Sequence, residues 1–70
     1  METKKIIRDE RKKRKLTQSE LAKKLGVSQA TITMIEAGKR GVSDELKVKI
    51  ANYFNLSIEY IFFNDINHKW

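Results

Sequence analysis

Apolar residues return along this chain at intervals of three and four, and nowhere do they alternate for long. Leu21, Ala22 and Leu25 share one helical face, Ile32 and Ile35 a second, Val48, Ile50, Ala51 and Phe54 a third, and Ile58, Ile61 and Phe62 a fourth. A period near 3.6 with no sustained period of two argues for helices and against strands. Local chemistry marks where these helices start. Thr17-Gln18-Ser19-Glu20 reads as a capping box, in which the threonine oxygen takes the amide of Glu20 and the glutamate reaches back. Leu16 and Leu21 flank it as a hydrophobic staple, and the arrangement recurs as Val27 and Ile32 around Ser28 and as Leu56 and Ile61 around Ser57. Ser43 is a further cap, followed by Asp44 and Glu45 at the positive end of a helix dipole. Thr3 offers a cap for a first helix anchored by Ile6 and Ile7. The pattern therefore predicts an all-α chain of five helices over about 4–14, 18–25, 29–37, 44–54 and 58–63. Gly26, Gly38 and Gly41 lie where the apolar period lapses and read as helix ends.

Seventy residues allow one small domain, read here as 1–63, with 64–70 as a C-terminal tail. There is no cysteine, hence no disulfide framework, and the single His68 cannot make a zinc site alone. No cofactor, metal or small-molecule ligand is expected. A tail histidine without a serine or acid partner gives no catalytic constellation, so the chain is not expected to be an enzyme. No stretch approaches the roughly 20 apolar residues that span a bilayer, and the first residues lack the apolar core of a signal peptide. The expectation is a cytoplasmic protein that does not enter membranes.

Fifteen Lys and Arg against nine Asp and Glu leave a formal charge of +6, and more than half of the cations fall within residues 1–15. That balance favours an anionic partner, although a small soluble domain commonly carries a net charge of about 2–8 in magnitude. Lys12, Lys13, Arg14 and Lys15 read as a solvated face.

The informative stretch is the connection Leu25-Gly26-Val27-Ser28. A left-handed glycine followed within two residues by a capping serine turns the chain sharply between two helices. Leu21, Leu25, Val27, Ile32 and Ile35 can pack in the angle, which is helix-turn-helix chemistry. From Leu16 to Arg40 the chain resembles the Cro/C1-type (XRE) helix-turn-helix regulators. The match is carried by the small Ala22, the turn Gly26, the apolar Val27, Ile32 and Ile35, and the ending Ile35-Glu36-Ala37-Gly38-Lys39. It continues weakly through Ile50-Ala51 and Leu56 to Ile61. The resemblance implies a compact five-helix lambda-repressor-like domain with the helix-turn-helix at the second and third helices. It also implies a transcriptional regulator of repressor type, from a phage or mobile element, that binds a palindromic double-stranded DNA operator as a homodimer.

At about 100° per residue, Ile32, Ile35 and Glu36 share one face of the third helix, and Ala30, Thr33, Met34 and Ala37 the other, with Gln29 and Thr31 at its margins. Gln29 suits a bidentate pair with adenine; Ala30, Thr31, Thr33 and Met34 complete the base-reading candidates. No Arg or Lys stands on this face, so the common arginine–guanine fork is not expected. For phosphates, the exposed amides at the second helix's start favour an anion, and the family pattern carries a phosphate contact to Gln18, with Thr17 and the capping Ser28 beside it. Lys39 and Arg40 form a cationic loop after the third helix. Val42 stands where the family often has proline. The resemblance also pairs Arg11 with Glu36 as a structural ion pair. Tyr60, Phe62, Phe63 and Trp70 are the candidates for a dimer interface. A second class stays open: an antitoxin-like or adaptor protein whose main partner is another protein, with the apolar ending as its working surface.

Overall fold

A computed structural model describes residues 3–63, which form five helices and, among these residues, no strand: α1 (Thr3–Lys13), α2 (Gln18–Leu25), α3 (Gln29–Glu36), α4 (Asp44–Phe54) and α5 (Ile58–Phe62). The caps follow the local chemistry. Thr17 Oγ1 accepts the Glu20 amide at 3.0 Å, and Glu20 Oε1 accepts the Thr17 amide at 2.8 Å. Ser28, Ser43 and Ser57 accept the amides of Thr31, Leu46 and Tyr60 at 3.2, 3.2 and 3.0 Å. Each bond satisfies an amide that the helix itself leaves orphaned.

The helix ends share a second device. Gly26 adopts φ 73°, and the Val27 amide then reaches the Ala22 carbonyl at 3.0 Å. The same clasp closes α1 through Lys15 (φ 59°) with Leu16 on Arg11, and α4 through Asn55 (φ 58°) with Leu56 on Ala51. After α3, Gly38 (φ 73°) lets the Lys39 amide reach Met34. This is the six-to-one bond of a Schellman ending. Gly41 is not a helix end; it lies in the loop before Ser43 without a left-handed backbone.

The structure corrects two further expectations. Thr3 is the first residue of α1 and not its cap, and its hydroxyl donates to the Ile61 carbonyl at 2.8 Å, tying α1 to α5. Val48 is 45% exposed and Leu46 takes the core position. Leu46, Ile50 and Phe54 recur every fourth residue, whereas Val48 lies about 200° round from its neighbours two places away. Arg14 lies on the exposed face, as expected, and is also partnered: it donates to Glu10 Oε1 and to the Phe54 carbonyl at 2.6 and 2.9 Å, with its guanidinium 4.8 Å from the Phe54 ring. The bond from Arg14 also draws the Glu10 carboxyl below its ordinary range.

The core is one cluster: Ile6 and Ile7 of α1, Leu21, Ala22 and Leu25 of α2, Ile32 and Ile35 of α3, four residues of α4, and Ile61 of α5. Leu16, Val27 and Leu56, the outer halves of the three staples, pack against it. α2 and α3 form the tightest pair, α1 packs on α3 and α5, and α4 on α2 and α5. This scaffold holds α3 from behind and leaves its front bare.

Candidate nucleic-acid interface

α3 is short and two-sided. Ile32, Ile35 and Glu36 are buried, while Gln29, Ala30, Thr33 and Met34 are exposed, Met34 by 42%. The four exposed residues line a shallow notch of about 390 Å³. The face anticipated from helical spacing is therefore free of the protein's own body. Thr31 stands at its margin, half-buried, with its hydroxyl 3.0 Å from that of Ser28. Ser28 Oγ also takes the Thr31 amide, so both hydroxyls serve the helix start.

Beneath this face runs a polar chain. Arg11 Nε and Nη2 donate to the two carboxylate oxygens of Glu36 at 2.7 and 2.9 Å, in the bidentate fork that suits a guanidinium to a carboxylate. The side chains are 10% and 4% exposed. Glu36, as acceptor, raises the pKa of Arg11 against the opposing effect of burial. Arg11 Nη1 also donates to the Leu16 carbonyl at 2.8 Å, which fixes the α1–α2 turn. The expected ion pair is present, and it is wired further than its two members. Gln18 Nε2 donates to Glu36 Oε1 at 3.1 Å, and Thr33 Oγ1 donates to Gln18 Oε1 at 2.7 Å. The chain thus passes from α1 through α3 and α2 to the outer face of α3.

Gln18 is accordingly less free than its place at the start of α2 suggested. One amide hydrogen remains to donate to an anion, and one carbonyl lone pair to accept from a donor (Asn and Gln amides carry two of each). Thr17 is exposed, with its hydroxyl oxygen accepting the cap bond. Lys39 and Arg40 are exposed in the loop that follows α3. Sequence reasoning missed a neighbour of that loop. Lys4 of α1 lies against Gly38, where a β-carbon would stand 3.1 Å from its Cδ and 3.2 Å from its Nζ. Lys4, Arg40 and Lys47 line one cleft of about 520 Å³ with Gly38, Gly41 and Phe62. No local signal announces this grouping, because it is made by the packing of α1 on α3.

The interface candidates separate. Tyr60 is 44% exposed, whereas Phe62 and Phe63 are half-buried, with Lys47 Nζ 5.7 and 5.4 Å from their rings. Trp70 and His68 lie outside the described residues, as does the rest of 64–70. Among the described residues no helix is long and apolar enough to cross a membrane.

Comparison with known proteins gives the same architecture. The model of the helix-turn-helix family matches residues 7–61. A protein of Archaeoglobus fulgidus described as an uncharacterized HTH-type transcriptional regulator is 47% identical over 64 residues, covering 91% of either chain. One of the same description from Methanocaldococcus jannaschii is 57% identical over 47 residues, covering 67% of this chain and 71% of its own. Among solved structures, the P22 c2 repressor in complex with a synthetic operator superposes with a TM-score of 0.83 at 27% identity, covering 89% of this chain and 94% of the repressor chain.

Proposed function

The chain belongs to the helix-turn-helix family, and from that premise we propose that it is a sequence-specific, double-stranded-DNA-binding transcriptional regulator of repressor type. α3 enters the major groove, Gln29, Ala30, Thr33 and Met34 meet base edges, and Lys39 and Arg40 hold phosphates on the flank. The observation that carries this reading is the exposure of the outer face of α3 while Ile32, Ile35 and Glu36 anchor the inner one. The superposition on a repressor described with its operator supports it, as does the net charge of +6.

Gln18 in this reading does two jobs: it orients Thr33 and offers its remaining amide hydrogen to a phosphate. Thr17 and Ser28 act through the helix starts they cap, where backbone amides and the dipole favour an anion. The protein works by binding and not by catalysis, in the cytoplasm with the DNA. We assign it a homodimer on a two-fold operator, with the aromatics Tyr60 and Phe62 of α5 and Phe63 just after it in the contact. Two recognition helices would then stand about 34–36 Å apart, one turn of DNA.

Selection of bound duplexes from a random pool at physiological salt, followed by gel-shift titration of the winner, tests the reading. An enriched two-fold sequence bound well above random DNA is the expected result. Equal affinity for all sequences would remove the specificity. Sedimentation that shows a monomer both free and on the operator would remove the dimer.

A further inference from the structure

The outer face of α3 has a one-sided chemistry. Of its four exposed residues, Gln29 carries an amide, and Ala30, Thr33 and Met34 all end in methyl groups. No cation stands among them. Thr33 has already committed its hydroxyl hydrogen to Gln18 Oε1 at 2.7 Å, so it keeps only its methyl group and an oxygen lone pair for a partner. The four residues together line the notch of about 390 Å³, with Ala30 the smallest member.

The major groove holds one apolar group, the C5-methyl of thymine; guanine offers two acceptors and cytosine an amine donor. Methyl-ended side chains laid over a G·C pair would bury those polar groups without hydrogen-bond partners, which costs affinity. Laid over thymine they exclude water from a methyl group, which gains it. Gln29 adds the bidentate match to adenine. We propose that the base pairs under α3 are A·T, with Gln29 on an adenine and thymine methyls seated in the notch beside Ala30 and Met34. The inference rests on α3 being the groove helix and narrows that reading from double-stranded DNA to half-sites with an A·T core.

The experiment uses the full chain and the duplex selected from a random pool. Thymines of the core are replaced by uracil one at a time, which removes the methyl and leaves pairing intact. Each methyl seated in the notch is expected to be worth about fourfold in affinity, the value of one buried methylene. Met34→Ala, at an exposed position whose folding is checked by circular dichroism, should shrink the difference between the thymine and uracil duplexes. Enrichment of G·C cores, or equal binding of the uracil duplexes, overturns the proposal while leaving sequence-specific DNA binding intact. A thymine–uracil gap unchanged in Met34→Ala overturns the notch as the seat of the methyl. No enrichment of any sequence overturns the proposal together with the reading beneath it.

Discussion

The buried pair of Arg11 and Glu36 gives the most demanding test of how this fold is held. Replacing Glu36 by Ala removes the acceptor of two Arg11 donors and of one Gln18 donor. The charge left behind belongs to a side chain only 10% exposed. Removing one member of such a pair costs about 3–5 kcal/mol, because the other is stranded in a poor solvent for ions. A domain of this length has a total stability of about 4–10 kcal/mol. Glu36→Ala and Arg11→Met should therefore each consume much of it. In urea, with a slope of about 1 kcal/mol per molar for so small a chain, the midpoint followed by circular dichroism should fall by about 3 M or disappear. Combining Arg11→Met with Glu36→Leu removes both charges and fills the space with apolar side chains. That double variant should be more stable than either single one, since a buried pair replaced as a whole is often neutral. Asp9→Asn serves as the control: its pair with Lys5 is about half exposed on either side, and its midpoint should stay at the parental value. If both single changes at the buried pair leave the midpoint within about 1 M of the parent's, the reasoning from desolvation is wrong.

Three further outcomes follow from other parts of the chain. Replacing Lys39 and Arg40 by Ala should lower the slope of log affinity against log salt by about 0.9 for each phosphate that is no longer neutralised, and a slope equal to the parent's would exclude both. Gly26→Ala meets nothing within 4 Å of the new carbon, so its cost is that of the left-handed backbone alone, about 1–2 kcal/mol, read from the urea midpoint; a neutral result would mean that the turn relaxes. The Glu20 carboxyl is held below its ordinary value chiefly by the Thr17 amide. Its contribution is complete above the unfolded value of about 4.3 and is lost as pH falls through the lower folded value. Glu20→Gln keeps an acceptor for the cap but does not titrate, so its midpoint should decline less steeply than the parent's below that pH. Parallel declines would refute the assignment.

The fold was legible where a residue acts on its own neighbours. Thr17, Ser28, Ser43 and Ser57 announce their helices because a cap needs nothing beyond three residues. The exposed face of α3 was legible for the same reason, since helical spacing alone puts Ile32 and Ile35 opposite Ala30, Thr33 and Met34. What escaped was made by distant elements or by unsuited residues. Lys15 holds a left-handed backbone that a sequence reader assigns to glycine. Leu46 and Val48 exchange places because α4 is oriented by α2 and α5, which no local pattern reveals. Lys4 meets Gly38, and Arg14 meets Phe54, only after the helices pack. Gln18 illustrates both cases: its position at a helix start was visible, but its commitment to Glu36 and Thr33 required two other elements to be in place.

The hydrogen-bonded run from Arg11 through Glu36 and Gln18 to Thr33 bears on how proteins of this kind acquire new targets over generations. The placement of α3 is tied to a side chain of α1 that lies behind it and has no part in its exposed face. With α3 as the groove helix proposed above, substitutions at the back of the molecule would change how its outward residues meet the bases, so a code written only in those residues would sort together two descendants that prefer different sites.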